Sequence, residues 1–178
     1  PKLDLISGFS AKSVASGHFI DNRPLDLIQK TDNDIDMIDL ATNSIDDAGK
    51  FAVSNVYGLK ERKAIYREGL GAILINDNFD VSKPYLLPNR KIYKHKVQQF
   101  PYGDVDPSDT IFKDVDYTKL KNAVENAFDK NGGRTKRTRA VIVLYKDKLI
   151  AEKYDTGFNK DSKILGWSMT KSITSSAF

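Results

Sequence analysis

The sequence predicts an α+β chain, and three observations carry that prediction. Apolar and β-branched runs broken by short polar turns fill residues 36–75, the pattern of an antiparallel meander. Two more such runs, 139–145 and 149–154, flank the polar turn Lys146-Asp147-Lys148 and read as a hairpin. Between the two regions, Leu120, Val124, Ala127 and Phe128 recur at helical spacing. Strands that pair with their sequence neighbours, with helices set apart from them, give the α+β class.

Taken in order, residues 1–31 are mixed in pattern, with one short helix over 24–29. Asn22 stands near its start and Pro24 in its first turn, where a missing N–H costs nothing. The meander follows: a strand over 37–45, a turn at Asp46-Asp47-Ala48-Gly49-Lys50, a return strand over 51–57, a connection over 58–62, a third strand over 63–67 and a short buried run over 71–75. Residues 76–115 hold four of the six prolines and many polar side chains, so they read as a surface crossing or linker. Asp116 is placed to cap a helix over 117–130, which Asn131-Gly132-Gly133 would stop. The hairpin comes next, then a loop with Gly157 and Asn159, then a helix opening at Ser168 whose Ile173, Ala177 and Phe178 should face inward. The chain thus divides into 1–108, a meander extension with its linker, and 109–178, a helix, a hairpin and a final helix.

Composition bounds the function classes. A chain of 178 residues, 40% hydrophobic and 29% charged, can bury a sizeable core. Its net charge of +4 comes from 28 basic and 24 acidic residues, a modest excess. No apolar run approaches the roughly eighteen residues of a membrane span. Cysteine is absent, which removes disulfides and thiolate metal sites without choosing a compartment. Pro1-Lys2-Leu3-Asp4 carries neither an initiator Met nor a leader-like apolar segment, so the start is expected to be processed or engineered; Phe178, an uncapped apolar residue in mid-helix, is expected to be a break.

The sharpest chemical feature is Gly166-Trp167-Ser168-Met169-Thr170-Lys171-Ser172, which holds the one Ser-x-x-Lys pattern in the chain. Positions i and i+3 of a helix lie on one face, roughly 5–6 Å apart at Cβ. An amine there can take the proton of a serine hydroxyl, which is a weak nucleophile without a base. A lysine performs that task only where burial or neighbouring cations favour its neutral form. The tetrad alone also fits a helix N-cap serine followed by a solvated lysine. What adds weight is the order: hairpin, Gly157-Phe158 loop, then Ser168 and Lys171 on a helix.

That order resembles the class C β-lactamase-related serine hydrolases, a superfamily that is penicillin-binding-protein-like and includes esterases, D-amino-acid peptidases and 6-aminohexanoate-oligomer hydrolases. The matching text runs from Ala140-Val141-Ile142-Val143-Leu144-Tyr145 through Gly157-Phe158 to Trp167-Ser168-Met169-Thr170-Lys171-Ser172. Ser16-Gly17-His18-Phe19-Ile20 and Tyr66-Arg67-Glu68-Gly69-Leu70-Gly71 are similar to the amino-terminal extension of many of these hydrolases. The resemblance implies the first part of a β-lactamase/transpeptidase-like fold, with Ser168 as nucleophile and Lys171 as base. It implies an acyl-enzyme formed on a small amide, ester or peptide substrate, no cofactor or metal, and an extracytoplasmic, bacterial setting. Such enzymes also use a Tyr-x-Asn element and a Lys-Thr-Gly or His-x-Gly strand beyond the serine. Neither lies between Lys171 and Phe178, so the rest of the site is expected from sequence after Phe178. A non-catalytic relative that binds peptide, glycan or protein is the alternative.

Other clusters carry less. Asp32, Asp34 and Asp36 alternate like a calcium loop, but Met37 and Asn43 stand where glycine and glutamate are needed, so a solvated turn is expected. Asp104, Asp106 and Ser108 fail the same test, with Asp109 at the sixth position. His18 and His95 have no ligand-spaced partner, and no metal site is expected. Lys130, Arg134, Lys136, Arg137 and Arg139 form a basic loop without interleaved aromatics, read as solvated and not as a nucleic-acid surface. Trp167 is placed either to wall a substrate cleft or to enter a core.

Overall fold

A computed structural model describes residues 1–89, 91, 97–108, 110–131, 133 and 135–178. The fold is mixed α+β, with a four-stranded antiparallel sheet, a separate two-stranded hairpin and four helices among the described residues. Its contacts group into two units, Pro1–Leu87 with Ser162–Phe178, and Pro88–Asp161. The first divides from the second at Leu87/Pro88 and Asp161/Ser162, whereas the sequence reading sets its boundary at 108/109.

In the first unit, α1 (Lys2–Phe19) lies against β1 (Ala41–Asp46), β2 (Phe51–Val56), β3 (Leu59–Arg67) and β4 (Gly71–Ile75), paired in the order β1-β2-β3-β4. The sequence leaves α1 unassigned because the helix has no stripe of large apolar residues. Its buried positions are Ile6 and Val14 among Ser7, Gly8, Ser10, Ala11, Ser13, Ala15 and Gly17. The sheet answers with Ala52, Ser54, Ala64 and Ala72, all buried. Small residues on both layers let helix and sheet approach closely. Ile28 of α2 (Leu25–Thr31), also fully buried, closes the same core beside Val14. Burying such a side chain contributes roughly 1.5–3 kcal/mol.

Buried hydroxyls in this interface need acceptors, because an unpartnered one costs about 1–3 kcal/mol. Ser7 Oγ donates to the Lys60 carbonyl at 2.5 Å and Ser10 Oγ to Asn43 Oδ1 at 2.7 Å. Asn33 Nδ2 donates to Ser10 Oγ at 2.8 Å, and Ser54 Oγ donates to the same Asn43 oxygen. These bonds tie α1, the segment after α2, β1 and β2 into one polar seam.

The glycines of α1 make the close packing testable. A Cβ at Gly8 would meet the mobile end of Leu74 at 3.1 Å, whereas a Cβ at Gly17 would sit 2.8 Å from both Cγ1 and Cδ1 of the buried Ile28. Gly8→Ala is expected to be neutral or stabilising by up to about 1 kcal/mol through helix propensity. Gly17→Ala is expected to cost about 1–3 kcal/mol through overpacking. Urea midpoints of the two variants check this, and equal midpoints would count against the packing described.

The meander lies where the sequence places it, with two differences. Residues 38–40 form a 3-10 turn, so β1 begins at Ala41 and not at 37. β3 begins at Leu59, four residues before the sequence reading, because Tyr57 and Gly58 both adopt positive φ (55° and 73°) and close a two-residue hairpin with Val56 opposite Leu59. Asn55 Oδ1 accepts the Gly58 N–H at 2.9 Å and fixes that turn.

In the second unit, α3 (Tyr117–Ala127) is capped as expected: Asp116 Oδ1 accepts the Lys119 N–H at 3.0 Å. It ends at Ala127, short of the predicted 130. β5 (Ala140–Tyr145) and β6 (Lys148–Tyr154) pair antiparallel, with Lys146 and Asp147 at positive φ in a two-residue turn. Burial and a hydrogen bond to Glu152 push the Tyr154 phenol up to about 12.

Candidate functional site

Residues 162–167 return to the first unit and are held there by three contacts. The Lys163 backbone N–H donates to Asp21 Oδ1 at 2.7 Å, and Lys163 Nζ donates to the Ile20 carbonyl at 2.9 Å. The Trp167 ring stacks on Phe9 of α1, with centroids 5.7 Å apart and planes at 29°. Trp167 itself has φ +45°, the left-handed region that a bulky residue rarely enters.

Ser168 follows directly. It lies in a 3-10 turn over Trp167–Met169, and α4 (Thr170–Ser176) starts two residues later, so the serine precedes the α-helix that the sequence expects it to open. Thr170 Oγ1 donates to the Trp167 carbonyl at 2.6 Å and Met169 N–H to the Gly166 carbonyl at 2.9 Å, which tightens the turn. Ser168 and Lys171 are both exposed, and neither side chain has a hydrogen-bond or ion-pair partner among the described residues.

Ile173, Ala177 and Phe178 do not face inward as expected. Ile173 is 72% and Phe178 106% exposed. The physical reason is that α4 packs mainly on its own preceding turn, with no second layer beside it among the described residues.

Beside Trp167 is a cavity of about 230 Å³ lined by Phe9, Lys12, Ser13, Ser16, Leu165 and Trp167. It is mostly apolar with a polar rim. Lys12 Nζ donates to Ser16 Oγ at 2.7 Å, and burial lowers the Lys12 amine below the ordinary lysine value. Ser13 is 6% exposed and its Oγ has no hydrogen-bond partner among the described residues. Trp167 therefore walls a cavity and is not buried in a core. The α1 half of the wall escaped the sequence reading. Its one sequence signal was the i, i+4 pair Lys12 and Ser16.

The remaining candidates find structural roles. Asp32 is buried and ion-pairs with Arg23 at 2.5 Å, in place of the solvated turn expected there. Asp106 ion-pairs with Lys160 at 2.9 Å. His18 Nε2 lies 2.7 Å from Asp47 Oδ1, joining α1 to the β1–β2 turn. No group of three His, Asp or Glu side chains gathers among the described residues. The basic loop folds over a carboxylate of its own: Asp129 accepts backbone N–H groups from Thr135 at 3.2 Å, Lys136 at 3.0 Å and Arg137 at 2.7 Å. Those bonds hold the Asp129 carboxyl below the usual carboxylate range. Asp109, Arg134, Gly132 and His95 lie outside the described residues. No described helix is long and apolar enough to cross a membrane.

No protein-family profile, curated protein or solved structure matches the chain.

Proposed function

We propose that the chain carries the nucleophile and base of a serine hydrolase of the β-lactamase-related type, with Ser168 attacking an amide or ester carbonyl and Lys171 accepting its proton. The observation that carries the reading is the Ser-x-x-Lys spacing on a turn that leads into a helix, which follows a strand hairpin in chain order. The apolar cavity bounded by Trp167 offers a place for an acyl or leaving group next to that turn. The exposed apolar side chains Trp167, Met169 and Ile173 fit a helix that is covered in the assembled active site. In this reading the fold is the first part of a β-lactamase/transpeptidase-like domain in an extracytoplasmic protein. A second proton carrier and the oxyanion strand come from sequence after Phe178.

The reaction balances without a cofactor. The Ser168 oxygen bonds to the carbonyl carbon as its proton passes to the lysine, the leaving amine or alcohol takes that proton, and water then hydrolyses the acyl-enzyme.

A second reading, a non-catalytic relative that binds peptide or glycan, is favoured by one observation: the Ser168 hydroxyl and the Lys171 amine are exposed and make no bond to each other. A fluorophosphonate probe separates the two. The full-length protein should be labelled on the peptide containing Ser168, and Ser168→Ala should abolish the label. Undiminished labelling of that variant would sink the assignment, and no labelling of the parent would favour the binding reading.

A further inference from the structure

The face of the meander turned away from α1 carries a second, larger concavity. Phe51 on β2 pairs with Ile65 on β3, and Lys63, Ile65 and Arg67 alternate along β3, so all four side chains share that face. The segment after β4 crosses over it. Together they form a cleft of about 630 Å³, within the usual range for small-molecule sites.

Its lining combines an aromatic wall with unpaired positive charge. Phe79 and Tyr85 are 37% and 43% exposed, and their rings border the cleft with Phe51. Lys63 Nζ sits 3.4 Å from the Phe51 ring centroid, and Arg67 Cζ lies 5.3 Å from that of Tyr85. Lys83 adds a third cation. None of the three has a carboxylate partner among the described residues, and the buried Arg67 Nε has no hydrogen-bond acceptor. The one carboxylate in the lining, Asp80, accepts the Ser82 hydroxyl at 2.6 Å and the Ser82 N–H at 3.0 Å, both on Oδ1. Tyr66 and Tyr85 are the remaining titratable groups there. Two cations held on aromatic rings, one with an orphaned buried N–H, stand in the lining without a carboxylate partner among the described residues.

We propose that this cleft binds an aromatic carboxylate, its ring lying on Phe51, Ile65 and Phe79 and its carboxylate bridging Lys63 and Arg67. The guanidinium supplies the planar donor pair that suits a carboxylate, and the ammonium supplies a point charge. This binding does not rest on the chemistry of Ser168.

The probe is 2-naphthoate, titrated into the full chain and followed by its fluorescence and by amide NMR shifts, with neutral 2-naphthamide as comparison. Saturable binding is expected, with shifts at Phe51, Ile65 and Phe79. Arg67→Gln, which keeps much of the stem, and Lys63→Met should each weaken it by about tenfold or more, the scale of losing a charge-assisted hydrogen bond. Lys2→Ala, at the exposed start of α1, should leave it unchanged. No saturable binding would overturn the proposal. So would equal affinity for the amide, shifts confined to Trp167, or full affinity in both variants. Circular dichroism of each variant checks the fold; if either unfolds, the amide comparison and the shift map on the parent chain decide the question.

Discussion

Replacing Arg23 by alanine is expected to destabilise the first unit by about 3–5 kcal/mol, the range for leaving a buried ion without its partner. Arg23 stands between α1 and α2, and its side chain is 6% exposed. Its Nε lies 2.7 Å from Asp21 Oδ2 and its Nη2 2.5 Å from Asp32 Oδ2, with the two carboxylate side chains 8% and 0% exposed. Nη1 reaches Thr31 Oγ1 at 3.4 Å, and the Arg23 backbone N–H donates to the Gly17 carbonyl at 3.1 Å. One guanidinium therefore neutralises two carboxylates that water barely reaches, and it ties the end of α1 to the end of α2. Alanine would take the shared cation from both carboxylates, and Asp32→Ala would take one of the two carboxylates from the guanidinium, leaving Asp21 beside it. Arg23→Met with Asp21→Asn and Asp32→Leu removes all the charges together and is expected to recover most of the loss, because desolvation offsets most of the Coulomb gain of a buried pair. Urea unfolding checks each variant through its midpoint at constant slope. A loss below about 1 kcal/mol for Arg23→Ala would mean the cluster is effectively solvated.

This cluster also marks how far the sequence could be read. Asp32 sits in a run of alternating aspartates that resembles a solvated turn, and nothing local says that Arg23 folds back onto it. β2 was legible because Phe51 to Val56 alternate between a packed and an open face. The start of β3 was not, because Tyr57 offers no sign that it takes a positive φ. α1 was hidden for a different reason. Its buried face is built from serine, glycine and alanine, which carry little hydrophobic periodicity although they set how closely helix and sheet approach. At the candidate site, the spacing of Ser168 and Lys171 is a local property and can be read directly. The wall that Phe9, Lys12, Ser13 and Ser16 form against Trp167 depends on the chain returning across more than a hundred residues. No periodicity encodes that contact.

Lys171→Ala is expected to lower the rate of acylation by about 10²-fold or more, the usual scale for losing a positioned acid–base group. Lys171 lies three residues beyond Ser168, on the helix the serine turn leads into, which makes it the candidate base nearest in sequence. Lys171→Arg should fail as well, because a guanidinium keeps its charge and its proton at every working pH. The competing base is Lys12, whose amine faces the cavity against Trp167 and whose charged form is disfavoured by burial. The two assignments make opposite forecasts for burst kinetics with an activated ester on the full-length protein. If Lys171 is the base, both of its variants lose the acylation burst, while Lys12→Met changes chiefly the fit of the acyl group and so the half-saturating substrate concentration. If Lys12 is the base, Lys171→Arg keeps the burst and Lys12→Met loses it. An active Lys171→Arg enzyme would therefore transfer the role to α1 and leave Lys171 as a solvated helix residue.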